Sequence, residues 1–235
     1  MRFRLEPDGG ELVTVPEILV VGGYTGRDRE AVAAHILELE ELGIPAPATA
    51  PAFYAVSPQL LIQADRLVTT EAETSGEAEA ALVVHDGEIY VAVASDHTDR
   101  SAERYDIAVS KRACPKVVGD AVWRLDDVAG HWDDIELRSW IGEDADLAYQ
   151  DGVLGALLAP GELLDAIPWR NRPASFVVLC GTLPTMRGLQ PSPRFRGELY
   201  DAAAGRRLSL DYAVETLDLL GPAPDEDLVA AAPAG

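Results

Sequence analysis

Two apolar runs of the chain, residues 78–84 and 89–95, are separated by a short turn sequence that contains Asp86-Gly87. An Asp-Gly pair between two apolar runs is a strong signal for a β-hairpin with a two-residue turn. With this turn, Glu77 lies directly across the hairpin from Asp96. Both faces of the predicted hairpin are largely apolar, so we expect other elements to cover it on both sides.

Three carboxylates meet at the open end of this predicted hairpin. Glu77 and Glu79 are two residues apart, so in a strand both side chains leave the same face, and the register brings Asp96 to them. Buried carboxylates must be neutralised by protons, by cationic side chains or by a metal. An all-oxygen site suits a hard cation such as Mg²⁺, with Mn²⁺ or Ca²⁺ as alternatives. In the simpler alternative, both glutamates lie on a solvated strand end and pair with Arg100 or Lys111.

The rest of the pattern predicts mostly short strands and few helices. Short apolar runs bounded by turn residues indicate an N-terminal hairpin over residues 1–15 and strands at 17–21, 176–180, 195–200 and 207–217. A helix is predicted from Asp28 to Leu42 and ends at Gly43 and Pro45. Its apolar stripe consists of Val32, Ile36, Leu39 and Leu42. We therefore expect a mixed α+β fold that is mainly β.

A proline- and alanine-rich stretch at residues 45–51 indicates a hinge. We expect an N-terminal segment with the helix at residues 1–50 and a larger domain at 51–220. The tail at 221–235 contains little besides proline, alanine and acidic residues, and we expect it to be disordered. The segment Tyr149-Gln150-Asp151-Gly152 predicts a turn.

Acidic residues outnumber basic ones by 40 to 19, which gives a formal net charge of −21. Such a surface repels phosphate backbones and anionic lipids, so we expect neither nucleic-acid nor membrane partners. The sequence shows no signal-peptide core and no apolar run near the roughly 20 residues of a membrane span, so we expect a cytoplasmic location. Two cysteines far apart in sequence, Cys114 and Cys180, do not indicate a disulfide framework.

Several short motifs follow one another in an order that resembles the fumarylacetoacetate hydrolase superfamily. In chain order they are Glu77-Ala78-Glu79, Asp96-His97-Thr98-Asp99-Arg100, Ser110-Lys111, Tyr149-Gln150-Asp151-Gly152, Pro160-Gly161-Glu162 and Cys180-Gly181-Thr182. The chain looks closest to a bacterial branch of that superfamily with no known function. The resemblance implies a β-roll catalytic domain with a small N-terminal segment and a lid helix, and it implies a homodimer.

The resemblance also assigns roles to the residues of the hairpin and the helix. It implies that Glu77, Glu79 and Asp96 bind Mg²⁺ or a similar cation, and that Lys111 helps to hold an anionic substrate and its developing oxyanion. Within the predicted helix, His35 and Glu38 match a catalytic pair on a lid that closes over substrate. Their spacing alone would indicate only an ordinary solvated pair.

Further residues are candidates for substrate contacts. By resemblance these are Tyr24, Gln150, Gly181 and Thr182, and the basic residues Arg27 and Arg100 are available to make the pocket positive. The chain departs from the superfamily pattern after Thr182, where Leu183–Gly188 replaces the usual glycine-rich sequence. His97, beside the predicted metal ligand, is either a base, a group that orients the ligands or a structural histidine.

The activity implied by the resemblance is metal-dependent hydrolysis of a carbon–carbon bond in a small oxo acid, such as an acylpyruvate or a β-diketo acid. Decarboxylation, isomerisation or hydration of a related oxo acid needs the same site, so the sequence does not separate these reactions. A non-catalytic binding protein, with its carboxylates on a solvated edge, is the remaining alternative.

Overall fold

The computed structural model of the chain describes residues 1–41 and 46–217. The strands are β1 (Arg2–Leu5), β2 (Glu11–Val13), β3 (Leu19–Gly23), β4 (Ala52–Val56), β5 (Leu61–Ile62), β6 (Arg66–Thr69), β7 (Thr74–Ser75), β8 (Ala78–His85), β9 (Glu88–Ser95), β10 (Thr98–Asp99), β11 (Lys116–Val118), β12 (Ala121–Arg124), β13 (Glu136–Ile141), β14 (Leu147–Val153), β15 (Ser175–Thr182), β16 (Arg194–Asp201) and β17 (Arg206–Thr216). The helices are α1 (Arg29–Glu41), α2 (Arg100–Glu103), α3 (Ile107–Ala113) and α4 (Pro160–Ala166). The predicted mixed α+β fold, mainly β, is confirmed.

The described strands form three sheets. The largest has ten strands in the order β2-β1-β12-β9-β8-β15-β3-β4, with β11 hydrogen-bonded to β9 and β5. A second sheet has the order β14-β13-β16-β17-β6, and β7 pairs with β10. Strands from both sides of residue 50 share the large sheet, because β3 pairs with β15 in parallel and with β4 in antiparallel. The segment before residue 50 therefore contributes strands to the same sheet as the segment after it.

The predicted hairpin is strands β8 and β9, in the predicted register. His85 faces Glu88 and Ala78 faces Ser95, with Asp86 and Gly87 forming the turn at φ values of 50° and 87°. Positive φ at both turn positions is the geometry that favours Asp-Gly in such turns. One step beyond the strands, the Asp96 amide donates to the Glu77 carbonyl at 3.0 Å, so the pairing continues to the two carboxylates.

Both faces of this hairpin are covered, as its pattern predicts. Ala80, Leu82, Val84, Val91 and Val93 belong to a large core that also holds residues of β13, β16 and β17, so this face packs against the five-stranded sheet. The other face belongs to a second core whose buried members all lie on strands of the large sheet. The large sheet therefore curls around that second core, and the carboxylates lie at one end of it.

The N-terminal hairpin is also confirmed, with Phe3 paired to Leu12 between β1 and β2. The predicted helix is α1, and the Asp28 side chain caps it by accepting from the amides of Glu30 and Ala31 at 3.0 and 3.1 Å. Val32 and Ile36 on its stripe are only half-buried. The predicted end of this helix, at Gly43 and Pro45, lies outside the described residues. The predicted disordered tail at 221–235 also lies outside them.

The predicted turn at Tyr149–Gly152 is wrong, because these residues lie within β14. Gln150 pairs with Ser139 and Asp151 with Arg138 on β13, so a neighbouring strand supplies hydrogen bonds that the local sequence does not announce. Gly152 is needed for close packing instead of a turn, since a Cβ there would lie 2.7 Å from Cδ1 of Leu183.

Both cysteines are buried and carry free thiols. Among the described helices, none is long and apolar enough to cross a membrane.

Candidate functional site

Three carboxylates lie at the end of the hairpin, on the face that curls around the second core. Glu79 and Asp96 are 2% and 1% exposed, and Glu77 is partly buried. Strand pairing fixes their spacing, since Glu77 and Asp96 are opposed and Glu79 is two residues along the same face. The predicted register therefore places the three residues at the same end of the hairpin.

Asp96 is held by two lysines. Lys111 Nζ lies 2.6 Å from Oδ2, and Lys116 Nζ lies 3.0 Å from Oδ1. Burial alone would raise the pKa of the Asp96 carboxyl, but these two ammonium groups hold it well below its usual value. Asp96 is therefore a buried carboxylate that stays ionised because both of its oxygens face a cation.

Glu79 has a different environment. Its Oε2 accepts a hydrogen bond from the Gly181 amide at 2.8 Å. Burial, and then the charge of Asp96, raise the pKa of the Glu79 carboxyl well above its usual value. Gly181 has φ = +90°, and a Cβ there would overlap the Thr25 hydroxyl oxygen, so only glycine brings its amide to Glu79 without strain.

Arg100 fixes the third carboxylate. Its guanidinium donates to Glu77 Oε2 at 2.9 Å, to Glu103 Oε2 at 2.7 Å and to the Ser75 hydroxyl at 2.7 Å. The side chain is 9% exposed, so most of its donors are directed at protein groups. The structure thus shows Arg100 orienting Glu77 and Glu103.

Gln150 links the hairpin to the end of β15. Its amide nitrogen donates to Thr182 Oγ1 and to the Leu183 carbonyl at 2.6 and 2.9 Å. Its carbonyl oxygen accepts from the Ala78 amide and the Ser139 hydroxyl at 2.8 and 2.7 Å. Because these four bonds use the two donors and two acceptor positions of the amide, Gln150 positions Thr182.

The predicted lid residues lie at the surface. His35 and Glu38 side chains are 60% and 74% exposed, and His35 Nδ1 lies 3.7 Å from Glu38 Oε2. Tyr24, at φ = 56°, lies beside His35, and the two ring centroids are 6.4 Å apart. Burial, and then the charge of Glu103, raise the pKa of its phenol.

Arg27, a predicted substrate contact, and His97, whose role the sequence left open, both bond to protein groups outside the carboxylate cluster. Arg27 forms a bidentate pair with Asp133 at 2.6 and 2.8 Å, on exposed surface. His97 is 1% exposed, with its ring nitrogens 3.0 Å from the Tyr212 and Thr74 hydroxyls. Burial, followed by the charges of Lys116 and Arg100, lowers the pKa of His97 to about 3, so its charged form is disfavoured.

Sequence reasoning missed Lys116 and Glu103. Lys116 is fully buried at the start of β11, and Glu103 lies 3.7 Å from Lys111 Nζ. One compositional signal was available, because Lys111 and Lys116 are the only lysines of the chain and all other members of the 19 basic residues are arginines. Both lysines contact the same aspartate.

The donor chemistry of Glu77, Glu79 and Asp96 fits a hard divalent cation, since all are carboxylates and Glu79 is buried against an uncharged amide. In the part of the chain that the structure describes, no three histidine, cysteine or acidic side chains are already arranged as metal ligands. Both oxygens of Asp96 face lysines in this arrangement. Binding of a cation by these three carboxylates would require at least one of these ion pairs to open.

Comparisons with solved structures show the same fold at low sequence identity. A 2-keto-3-deoxyarabinonate dehydratase is similar with a TM-score of 0.62 and 14% identity over 86% of this chain and 74% of that one. A putative HpcE protein from Mycobacterium smegmatis gives 0.60 and 16%, covering 87% and 76%. A putative isomerase from Escherichia coli gives 0.61 and 14%, covering 89% and 98%. These likenesses agree with the predicted fold of the fumarylacetoacetate hydrolase type.

No curated protein has a sequence similar to this chain. The model of one sequence family, described as a protein of unknown function (DUF2848), matches residues 22–212. This match spans the helix α1, the carboxylate hairpin, both lysines and Gly181 near the end of β15. The chain therefore belongs to the DUF2848 family.

Proposed function

We propose that this protein is a divalent-metal-dependent enzyme of the fumarylacetoacetate hydrolase superfamily that cleaves a carbon–carbon bond of a small anionic oxo acid by hydrolysis. The observation that carries the proposal is the joint burial of Glu79 and Asp96 beside Lys111, at one end of the curled sheet. Titratable groups of opposite sign held this close in a buried site are typical of catalytic centres.

Glu77, Glu79 and Asp96 would hold the cation, with Mg²⁺ the first candidate. When bound, a divalent cation supplies Lewis-acid polarisation of an oxo group. Arg100 orients Glu77 through its bond at 2.9 Å, and the Gly181 amide orients Glu79. The protein thus fixes each ligand with a separate donor before substrate arrives.

Other groups would act on the substrate itself. Lys111 would neutralise the substrate's negative charge and its developing oxyanion. Thr182 would donate a hydrogen bond beside it once its hydroxyl turns away from the Ala78 carbonyl, to which it donates at 2.8 Å. For hydrolysis, His35, oriented by Glu38, would remove a proton from water. Because both side chains are exposed on α1, this step requires the helix to move toward the cluster.

Two measurements test the proposal. Thermal melts with Mg²⁺ and with EDTA should differ, because an ion that binds the folded state raises its stability. Acylpyruvates should be hydrolysed by the wild type and much more slowly by Glu79→Ala. Equal melting temperatures with and without Mg²⁺, together with unchanged activity in Glu79→Ala, would favour a non-catalytic binding protein.

A second candidate is decarboxylation, isomerisation or hydration of a related oxo acid. The observation that favours it is the exposure of His35 and Glu38. These reactions would need the carboxylates and Lys111 but not a water-activating base on α1. Three similar folds carry names of dehydratase, isomerase or HpcE type. Turnover of an oxo acid that His35→Ala leaves unchanged would select this candidate over hydrolysis.

The assembly we propose is a homodimer. Light scattering on the purified protein measures the mass, which should be twice that of the 25.2 kDa chain.

A further inference from the structure

The two lysines that hold Asp96 differ in how firmly they are fixed. Lys116 lies in strand β11, has no exposed surface and also donates to the buried His97 carbonyl. Lys111 lies on the short helix α3, and its side chain is 10% exposed. Moving Lys116 would leave a buried carbonyl without its donor, whereas moving Lys111 would not.

The ammonium of Lys111 lies among the carboxylates proposed to hold a metal. It is 2.6 Å from Asp96 Oδ2, 3.3 Å from Thr98 Oγ1 and 3.7 Å from Glu103 Oε1. Glu77 and Glu79 lie at the same end of the hairpin as Asp96, and Glu103 shares the Arg100 guanidinium with Glu77. A dication that used Asp96 Oδ2 would have to replace this ammonium.

The charge balance points the same way. When Glu79 is ionised, as it would be as a metal ligand, Glu77, Glu79, Asp96 and Glu103 carry four negative charges, against three positive charges from Arg100, Lys111 and Lys116. A bound dication would make the cluster positive by one charge. Lys111 would then no longer be needed at Asp96, and Glu103 lies within its reach.

We infer that Lys111 is an internal cation that occupies the metal position in the metal-free protein and leaves Asp96 for Glu103 when a divalent cation binds. The inference rests on the proposed metal site. It makes Lys111 the residue that sets the affinity for the cation.

Calorimetric titration of Mn²⁺ and Mg²⁺ tests this inference without any activity measurement. Lys111→Met should bind the cation roughly tenfold or more tightly than the wild type, because the ion no longer displaces a charge at contact distance. Arg112→Met is the matched control, since Arg112 is exposed on the same helix and donates to the Ala55 carbonyl. It removes the same charge from α3 without touching Asp96 and should change the affinity by about twofold or less.

The outcomes separate the inference from the proposed function. If the wild type binds the cation and Lys111→Met binds no more tightly than Arg112→Met, the inference fails and the metal site stands. If neither the wild type nor Lys111→Met binds, or if Glu79→Gln binds as well as the wild type, the proposed site fails and the inference with it.

A second measurement uses the wild type alone, so it does not depend on how the variants fold. With only two lysines in the chain, protein labelled with ¹⁵N-lysine should give two side-chain ammonium signals. Mg²⁺ should shift the Lys111 signal and speed its exchange with water, while the Lys116 signal stays protected. Binding of Mg²⁺ with both signals unchanged would overturn the inference.

Discussion

The Asp96 amide donates to the Glu77 carbonyl at 3.0 Å, so the two carboxylates face each other where the central hairpin opens. Backbone pairing thus gathers negative charge at one buried point, and the surrounding cations and amides must compensate it. The consequences of this arrangement for stability and activity can be measured.

Glu79→Gln should not destabilise the metal-free protein. Glutamine keeps an acceptor for the Gly181 amide and removes a buried charge whose ionised form is disfavoured by burial and by Asp96. In EDTA, we expect a melting temperature equal to that of the wild type or up to roughly 4 °C higher. With Mg²⁺ only the wild type should gain stability. Glu88→Gln, at the exposed turn of the same hairpin, is the control and should behave as the wild type.

Lys116→Met should destabilise the fold strongly. It removes the ammonium from Asp96 Oδ1 and the donor from the His97 carbonyl, both fully buried, so we expect a loss of roughly 3 kcal/mol or more in the free energy of unfolding. Urea denaturation in EDTA measures it. Lys111→Met is the comparison, and its loss should be smaller because that lysine is less buried; equal losses would contradict the assignment of distinct roles.

Gly181→Ala should be more damaging than an alanine at another glycine with positive φ. Its Cβ would overlap the Thr25 hydroxyl oxygen, and relief of this clash would move the amide that donates to Glu79. We expect a loss of roughly 3 kcal/mol or more in the free energy of unfolding. Gly188→Ala, at φ = 72° with open space around its Cβ, should lose only about 1–2 kcal/mol. Urea denaturation measures the free energy of unfolding of both variants. Similar losses in the two variants would rule out the clash at Thr25.

His35→Ala should leave stability unchanged within about 0.5 kcal/mol, because the side chain is 60% exposed. If the protein is a hydrolase, acylpyruvate turnover should fall by roughly 10²–10⁴-fold with the loss of the general base. Glu40→Ala, exposed on the same helix, is the control and should keep full activity. Full hydrolytic activity in His35→Ala would remove the pair from the mechanism.

The register of the hairpin could be predicted from sequence because two local rules agree. The Asp86-Gly87 turn fixes which residues are opposed, and the alternation of side chains fixes which face each residue joins. The grouping of Glu77, Glu79 and Asp96 follows from these rules alone. The N-terminal hairpin and helix α1 were predictable for the same reason, since turn residues and periodicity are local.

Other features depended on pairing that no local pattern announces. Gln150 and Gly152 looked like a turn, but β13 supplies a hydrogen-bonding partner and Leu183 occupies the space beside the glycine. The exposure of His35 could not be predicted either. An apolar stripe indicates that a helix packs against the protein, but it does not indicate how deeply the helix is buried.

The sequence by itself therefore determined the register that places Glu77, Glu79 and Asp96 at one end of the hairpin, and only the tertiary structure decided which cations balance their charge. Lys116 reaches Asp96 because β11 pairs with β9 so that Val117 faces Ser95, which sets the lysine across from the aspartate. Lys111 arrives from a helix instead. Burial leaves too little water to screen the carboxylates, so the fold must bring cations to them from elsewhere in the chain, and periodicity along one strand carries no information about which cations those are.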